Sequence, residues 1–243
     1  MQLFLLVGQS NMAGRGDVAA EDKTVTPGIF SLDRQREWVP AADPLHFDKP
    51  VAGVGPGLSF ARAIAAQNAD AEIGLIPAAV GGSPITAWEP GAFYPETATW
   101  PYDEAVQRTR HALRQGDLRA ILWHQGESDA NPGAAPLYDA RLRTLIGRFR
   151  IEFGNARLPV LVGQLGQWPE RPWDDAWKRV DQAHRDIAAS VPGVRFVSSQ
   201  GLAHKGDVLH FDAASARELG RRYAAAYLDM TAASAPAPAQ EKR

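Results

Sequence analysis

The feature that most constrains this chain is an alternation of short, unbroken apolar runs with segments patterned for helices. Leu3–Val7, Ile73–Val80, Leu118–Trp123, Pro159–Leu165 and Val194–Ser198 lack the in-out alternation of a half-exposed strand. Runs of this kind are strands covered on both faces. Between them lie Gly57–Gln67, Tyr102–Arg114, Leu137–Phe153, Asp175–Ser190 and Asp212–Leu228. Each of these reads as a helix. The third carries Tyr138, Leu142, Leu145, Ile146, Phe149 and Phe153 on one face, and the last starts at Asp212, a natural N-cap. The expectation is an α/β fold with a mainly parallel, five-stranded central sheet and helices on both sides.

The 243 residues suit one domain, placed at 1–232. Ala233–Arg243, rich in Ala and Pro, reads as a disordered tail. Ala13–Pro56 is irregular, with a possible small hairpin at Ile29–Asp33 and Trp38–Ala41. A connection this long inside a compact domain is usually functional or mobile.

Composition narrows the function. The formal charge of −2 gives no footprint for nucleic acid, and no run of eighteen apolar residues offers a membrane span. The absence of cysteine removes disulfides, zinc–thiolate sites and a cysteine nucleophile. Strand-like residues begin two positions after Met1, so no signal peptide is visible. That reading leaves a cytoplasmic protein, or a secreted or periplasmic one whose leader has been removed. Oligomeric state is open.

In parallel α/β sheets, ligands bind beyond the carboxyl ends of the strands. The residues there are Gly8-Gln9-Ser10-Asn11, Gly81-Gly82-Ser83, His124-Gln125-Gly126-Glu127 and Gln164 to Trp168. Ser10 offers a nucleophile, although a lone serine after a strand is more often a helix N-cap. His210 offers a base. Asp207, three residues before it, can accept its Nδ1 proton within one turn. The backbone N–H of Ser10, those of Gly81 and Gly82, and the side-chain amide of Gln125 are candidates for an oxyanion hole.

These segments resemble the sialate O-acetylesterase/acetyl xylan esterase family, carbohydrate esterase family 6 of the SGNH-hydrolase superfamily. The resemblance rests on Gly8-Gln9-Ser10-Asn11-Met12, on His124-Gln125-Gly126-Glu127, and on Asp207-Val208-Leu209-His210-Phe211. It runs from Leu3 to Tyr227. It implies a three-layer α/β/α, flavodoxin-like fold and a serine esterase that releases acetate from acetylated carbohydrates without cofactor or metal. Ser10, His210 and Asp207 then fall on the catalytic positions. Gln125 stands where most SGNH enzymes carry an Asn. Glu127 is the alternative acid, though it reads better as a brace for the Ser10 turn through backbone N–H groups. Gln9, Asn11, Arg15, Trp88, Gln164 and Trp168 are expected to line the substrate cleft.

Three rivals stand beside this reading. A metal-dependent deacetylase could use Asp207, His210, Asp212 and His204, but would leave Ser10 and Gln125 without a role. A non-catalytic sugar-binding module would use the seven Trp residues, but needs no Ser, His and Asp at one rim. A lipase- or thioesterase-like SGNH enzyme would more often show a GDSL-type block and an Asn at the position of Gln125.

Overall fold

The structure, a computed structural model, describes residues 1–67 and 70–234. Seven strands form one sheet: β1 (Gln2–Gly8), β2 (Ile29–Leu32), β3 (Trp38–Pro40), β4 (Ile73–Pro77), β5 (Asp117–His124), β6 (Val160–Gly163) and β7 (Val194–Val197). Their order is β3-β2-β4-β1-β5-β6-β7, and every pairing is parallel except β2 with β3. The five apolar runs are β1, β4, β5, β6 and β7. The expectation of five strands is corrected to seven, because the hairpin is part of the sheet: β2 pairs with β4. These edge strands are short, and β3 is largely exposed and ends in Pro40, so neither has the apolar run of a central strand.

The two faces of the sheet follow from the two-residue period of β1. Leu3, Leu5 and Val7 point to a layer made by α3 (Pro101–Ala112), α4 (Ala135–Glu152) and α5 (Asp175–Ser190). Phe4 and Leu6 point to the opposite layer, made by α2 (Pro56–Ala65) and α6 (Ala213–Ser234). There Phe4, Phe60 and Tyr227 meet edge to face, with Phe4 4.8 Å from Phe60 and 5.3 Å from Tyr227. The Asp212 side chain caps α6 by accepting from Ser215 N at 2.7 Å. The tail expected over 233–243 lies, from residue 235 on, outside the described residues, and α6 runs to Ser234. No helix among the described residues is long and apolar enough to cross a membrane.

After β1 the chain builds β2, β3 and β4 on one side and then β5, β6 and β7 on the other. The carboxyl end of β1 is therefore the point where strand order reverses, the usual seat of a ligand. Ser10 lies just beyond it, opening the single-turn helix α1 (Ser10–Ala13).

The second layer depends on a close crossing of α2 and α6. A Cβ at Gly220 would collide with the Ser59 hydroxyl and the Pro56 carbonyl. Alanine is the better helix former by about 1 kcal/mol. Gly220→Ala should nevertheless destabilise the protein, by about 1–3 kcal/mol through overpacking. Thermal unfolding checks this; a raised Tm would show that the crossing has room to spare.

Candidate active site

The turn that presents Ser10 is set by Gly8. Its φ of 129° lies in the left-handed region, and a Cβ would run into the His124 carbonyl on β5. Gln9 N donates to that carbonyl at 2.9 Å. Gln9 Oε1 accepts from Ser128 N at 3.2 Å, tying the turn to the loop after β5. Ser10 is the first residue of α1, so the helix itself leaves its N–H free.

His210 sits between β7 and α6. Its Nε2 lies 3.0 Å from Ser10 Oγ, and its Nδ1 lies 2.7 Å from Asp207 Oδ2. Asp207 Oδ1 accepts from Leu209 N at 3.0 Å and His210 N at 2.8 Å. Val208 makes this tight loop possible with a φ of 50°, a rare state for a β-branched residue. Burial alone would raise the Asp207 carboxyl. Bonds from the His210 N–H, the His210 ring and the Leu209 N–H outweigh that and hold it below the ordinary carboxylate value.

Asn11 joins the two halves. Its Nδ2 donates to Glu127 Oε1 at 2.6 Å and to the Leu209 carbonyl at 3.1 Å, and its Oδ1 accepts from Phe211 N at 3.1 Å. The residues on either side of His210 are thus both held by the residue after Ser10. Glu127 does brace the Ser10 turn. It acts through the Asn11 side chain, whereas the bonds to backbone N–H groups across this junction come from Gln9.

Comparison with known proteins decides the family. Residues 1–229 match the carbohydrate esterase family of sialic acid-specific acetylesterases. The chain belongs to that family. This carbohydrate esterase is 32% identical over 249 residues to the probable carbohydrate esterase At4g34215 of Arabidopsis thaliana, covering 93% of this chain and 90% of the relative. The crystal structure of that Arabidopsis protein superposes with a TM-score of 0.83, covering 94% of this chain and 98% of the other at 31% identity. NanS shares the fold, with a TM-score of 0.79 at 19% identity over 96% of this chain and 98% of its own. The fold is therefore α/β, a mostly parallel seven-stranded sheet flanked by helices and shared with these relatives, and the protein is a carboxylic ester hydrolase of the carbohydrate acetylesterase kind.

Several residues expected at the cleft of this esterase have other work. Gln125 is fully buried: Nε2 donates to the Ser83 carbonyl at 3.1 Å and to Asp129, and Oε1 lies 2.9 Å from the Tyr138 hydroxyl. Its amide is not brought to Ser10. The Gly81 N–H is given to Asp48 Oδ2 at 2.8 Å. Trp88 is a core residue, bonded to Ser83 Oγ and packed on Trp123 at 5.3 Å. Trp168 is also buried, with Nε1 on the Leu202 carbonyl and its ring against His204 and Phe211. Gln164 is held inside by Asp181, Ser198 and Ser199. Arg15 is buried and pairs with Asp48 at 2.7 Å. Asp48 lies in the irregular segment, where neither spacing nor a motif marks it in the sequence.

Nor are Asp207, His210, Asp212 and His204 gathered as a metal site would need. Asp212 caps α6, and His204 Nδ1 accepts from Gly206 N and Val208 N. No cluster of three such groups suited to a metal occurs among the described residues.

Glu127 gives the pH dependence to test. Burial raises its carboxyl above the ordinary value, against the opposing bond from Asn11. The folded state then holds a proton more tightly than the unfolded one. This contribution to stability is fully present below the unfolded carboxyl value of about 4.3 and is lost as pH rises through the folded value. Glu127→Gln keeps an acceptor for Asn11 and should flatten that loss, raising stability at neutral pH. Asn11→Ala strands Glu127, the Leu209 carbonyl and the Phe211 N–H together, and should cost about 1–3 kcal/mol or more. Urea unfolding across pH measures both. A Glu127→Gln curve parallel to wild type would refute the assignment.

Proposed function

We propose that the protein is a serine-dependent carbohydrate O-acetylesterase that releases acetate from acetylated sugars through an acyl-enzyme. The observation that carries this reading is the line from Asp207 through His210 to Ser10, with steps of 2.7 and 3.0 Å, at the strand-order reversal. His210 Nε2 takes the Ser10 proton as Oγ attacks the acetyl carbonyl, and Asp207 stabilises the imidazolium that forms. The tetrahedral oxyanion is received by the backbone N–H groups of Ser10 and Gly82, since Gln125 and Gly81 are already engaged. His210 then returns the proton to the sugar hydroxyl as it leaves. Water, activated by the same base, frees acetate from Ser10.

The reading favours Asp207 over Glu127 as the acid, because Asp207 bonds the His210 ring while Glu127 bonds Asn11. It favours a short acyl group, because the side chains of Gln9, Asn11 and Arg15 on the Ser10 turn are polar and engaged.

With p-nitrophenyl acetate as substrate, Ser10→Ala should keep the fold and cut kcat by about 10³-fold or more. Asp207→Asn should cost about 10²–10⁴-fold in kcat, and Glu127→Gln much less. Intact-mass analysis after a rapid quench should find acetyl on Ser10. Octanoate esters should be at least about 10²-fold poorer than acetate in kcat/KM, and a chelator should leave the rate unchanged. Near wild-type turnover by Ser10→Ala would sink the mechanism. Equal rates on octanoate would point to a lipase-like enzyme.

A further inference from the structure

A cavity of about 710 Å³ lies one strand away from Ser10, at the carboxyl end of β4 and under the β2–β3 hairpin. Its floor is the chain leaving β4, Pro77 to Val80. Val80 N donates to the Gly8 carbonyl at 2.9 Å, two residues before Ser10. Asp48 forms the wall shared with the active site: Oδ2 accepts from Gly81 N and from Arg15, while Oδ1 is buried with no partner among the described residues. Adjacent strands are about 4.8 Å apart. A sugar chain anchored by its acetyl group at Ser10 would therefore carry its next unit over this cavity.

We propose that the cavity is a second sugar-binding subsite, so that the enzyme prefers acetylated oligosaccharides to acetylated monosaccharides. The proposal rests on the acetylesterase reading above and adds the size of the substrate. Arg108 is the central observation. Its side chain is buried, 5% exposed, and its Nε and Nη2 are spent on the carbonyls of Pro77, Leu32 and Asp33. Its Nη1 has no acceptor among the described residues, and the residue lines the cavity. Burial lowers its pKa only to about 10, so it remains a cation at neutral pH. The ring of Phe47 lies between Arg108 and Arg34, 4.7 and 5.1 Å from the two guanidinium carbons. Two buried polar atoms on the lining, His46 Nε2 and Asp48 Oδ1, have no partner among the described residues. Buried polar atoms are rarely left unpaired without a reason.

At the mouth, Trp100 is 46% exposed and pairs with Phe93, 49% exposed, at 4.9 Å. The two rings are tilted by 51° to each other, so the exposed face of Trp100, which lines the cavity, is the surface on which the C–H face of a sugar ring would rest, with Phe93 packed beside it. Asp103 and Glu104 also line the cavity, on the same helix as Arg108, with Glu104 one turn before it. That mixture selects the ligand. A phosphate or other compact anion would be repelled by the carboxylates, whereas sugar hydroxyls donate to carboxylates and accept from guanidinium groups. The hairpin delivers Arg34 and Arg36, and Arg36, held at a φ of 67° in its turn, reaches Gln107 Oε1 at 2.9 Å.

The test compares kcat/KM for acetate release from fully acetylated xylose and glucose with that from fully acetylated xylotetraose and cellotetraose. p-Nitrophenyl acetate serves as the reference. At least one tetrasaccharide should exceed its monosaccharide by about tenfold, the equivalent of about 1.4 kcal/mol, mainly through KM. Trp100→Ala and Arg34→Ala should each erase that advantage and leave p-nitrophenyl acetate unchanged. In parallel, the unacetylated tetrasaccharide should perturb the tryptophan fluorescence of wild type and not of Trp100→Ala. Equal kcat/KM within both sugar series, or a preference that survives both substitutions, overturns the subsite. Failure to turn over p-nitrophenyl acetate at all would instead sink the esterase reading.

Discussion

The side chain of Asn11 is the contact on which the rest of the site depends. The triad proposed above, built from the turn after the first strand and the loop after the last, needs something to hold those two regions in register to within a few tenths of an ångström. Asn11 does this with three bonds. Two of them grip the backbone on both sides of His210, and the third reaches Glu127 beyond β5. An amide is well suited to the task because it presents donor and acceptor at once. An Asp would lose the donors, and a Gln would displace both contacts by a methylene.

Beneath this clamp lies a polar layer that a purely apolar core would not contain. The Tyr138 hydroxyl meets Gln125 and His184, and Gln125 in turn meets Asp129, which also accepts from Ile85 N at 2.8 Å. His124 is buried beside it, and desolvation pushes its pKa down to about 3, so it stays neutral. Networks of this kind admit few alternative arrangements. They fix the loop after β5, and through Gln9 they fix the turn that carries Ser10.

This division explains what could be read from the sequence. The central strands and all five long helices were legible because burial on both faces, or on one stripe, writes a period into the residue order. That Ser10, Asp207 and His210 would meet was legible because each sits in a local motif whose spacing has chemical meaning. Gln125 sits in an equally distinctive motif, yet faces inward. Nothing in one-dimensional order tells which way a side chain turns at the end of a strand. Trp88 and Trp168 misled for the same reason, since a large aromatic after a strand can cap a core as easily as it can line a cleft. Asp48, Arg34 and Arg36 were hidden differently. They come from an irregular segment that acquires meaning only when its hairpin docks on β4.

Ser10 and His210 are 200 residues apart in the chain. On the proposed mechanism, the base comes into place only when the loop between β7 and α6 docks on the turn after β1, and α6 must pack across α2. A chain synthesised only as far as β6 would carry the nucleophile without its base. Its hydroxyl would stay unactivated until the last strand and helix complete the domain.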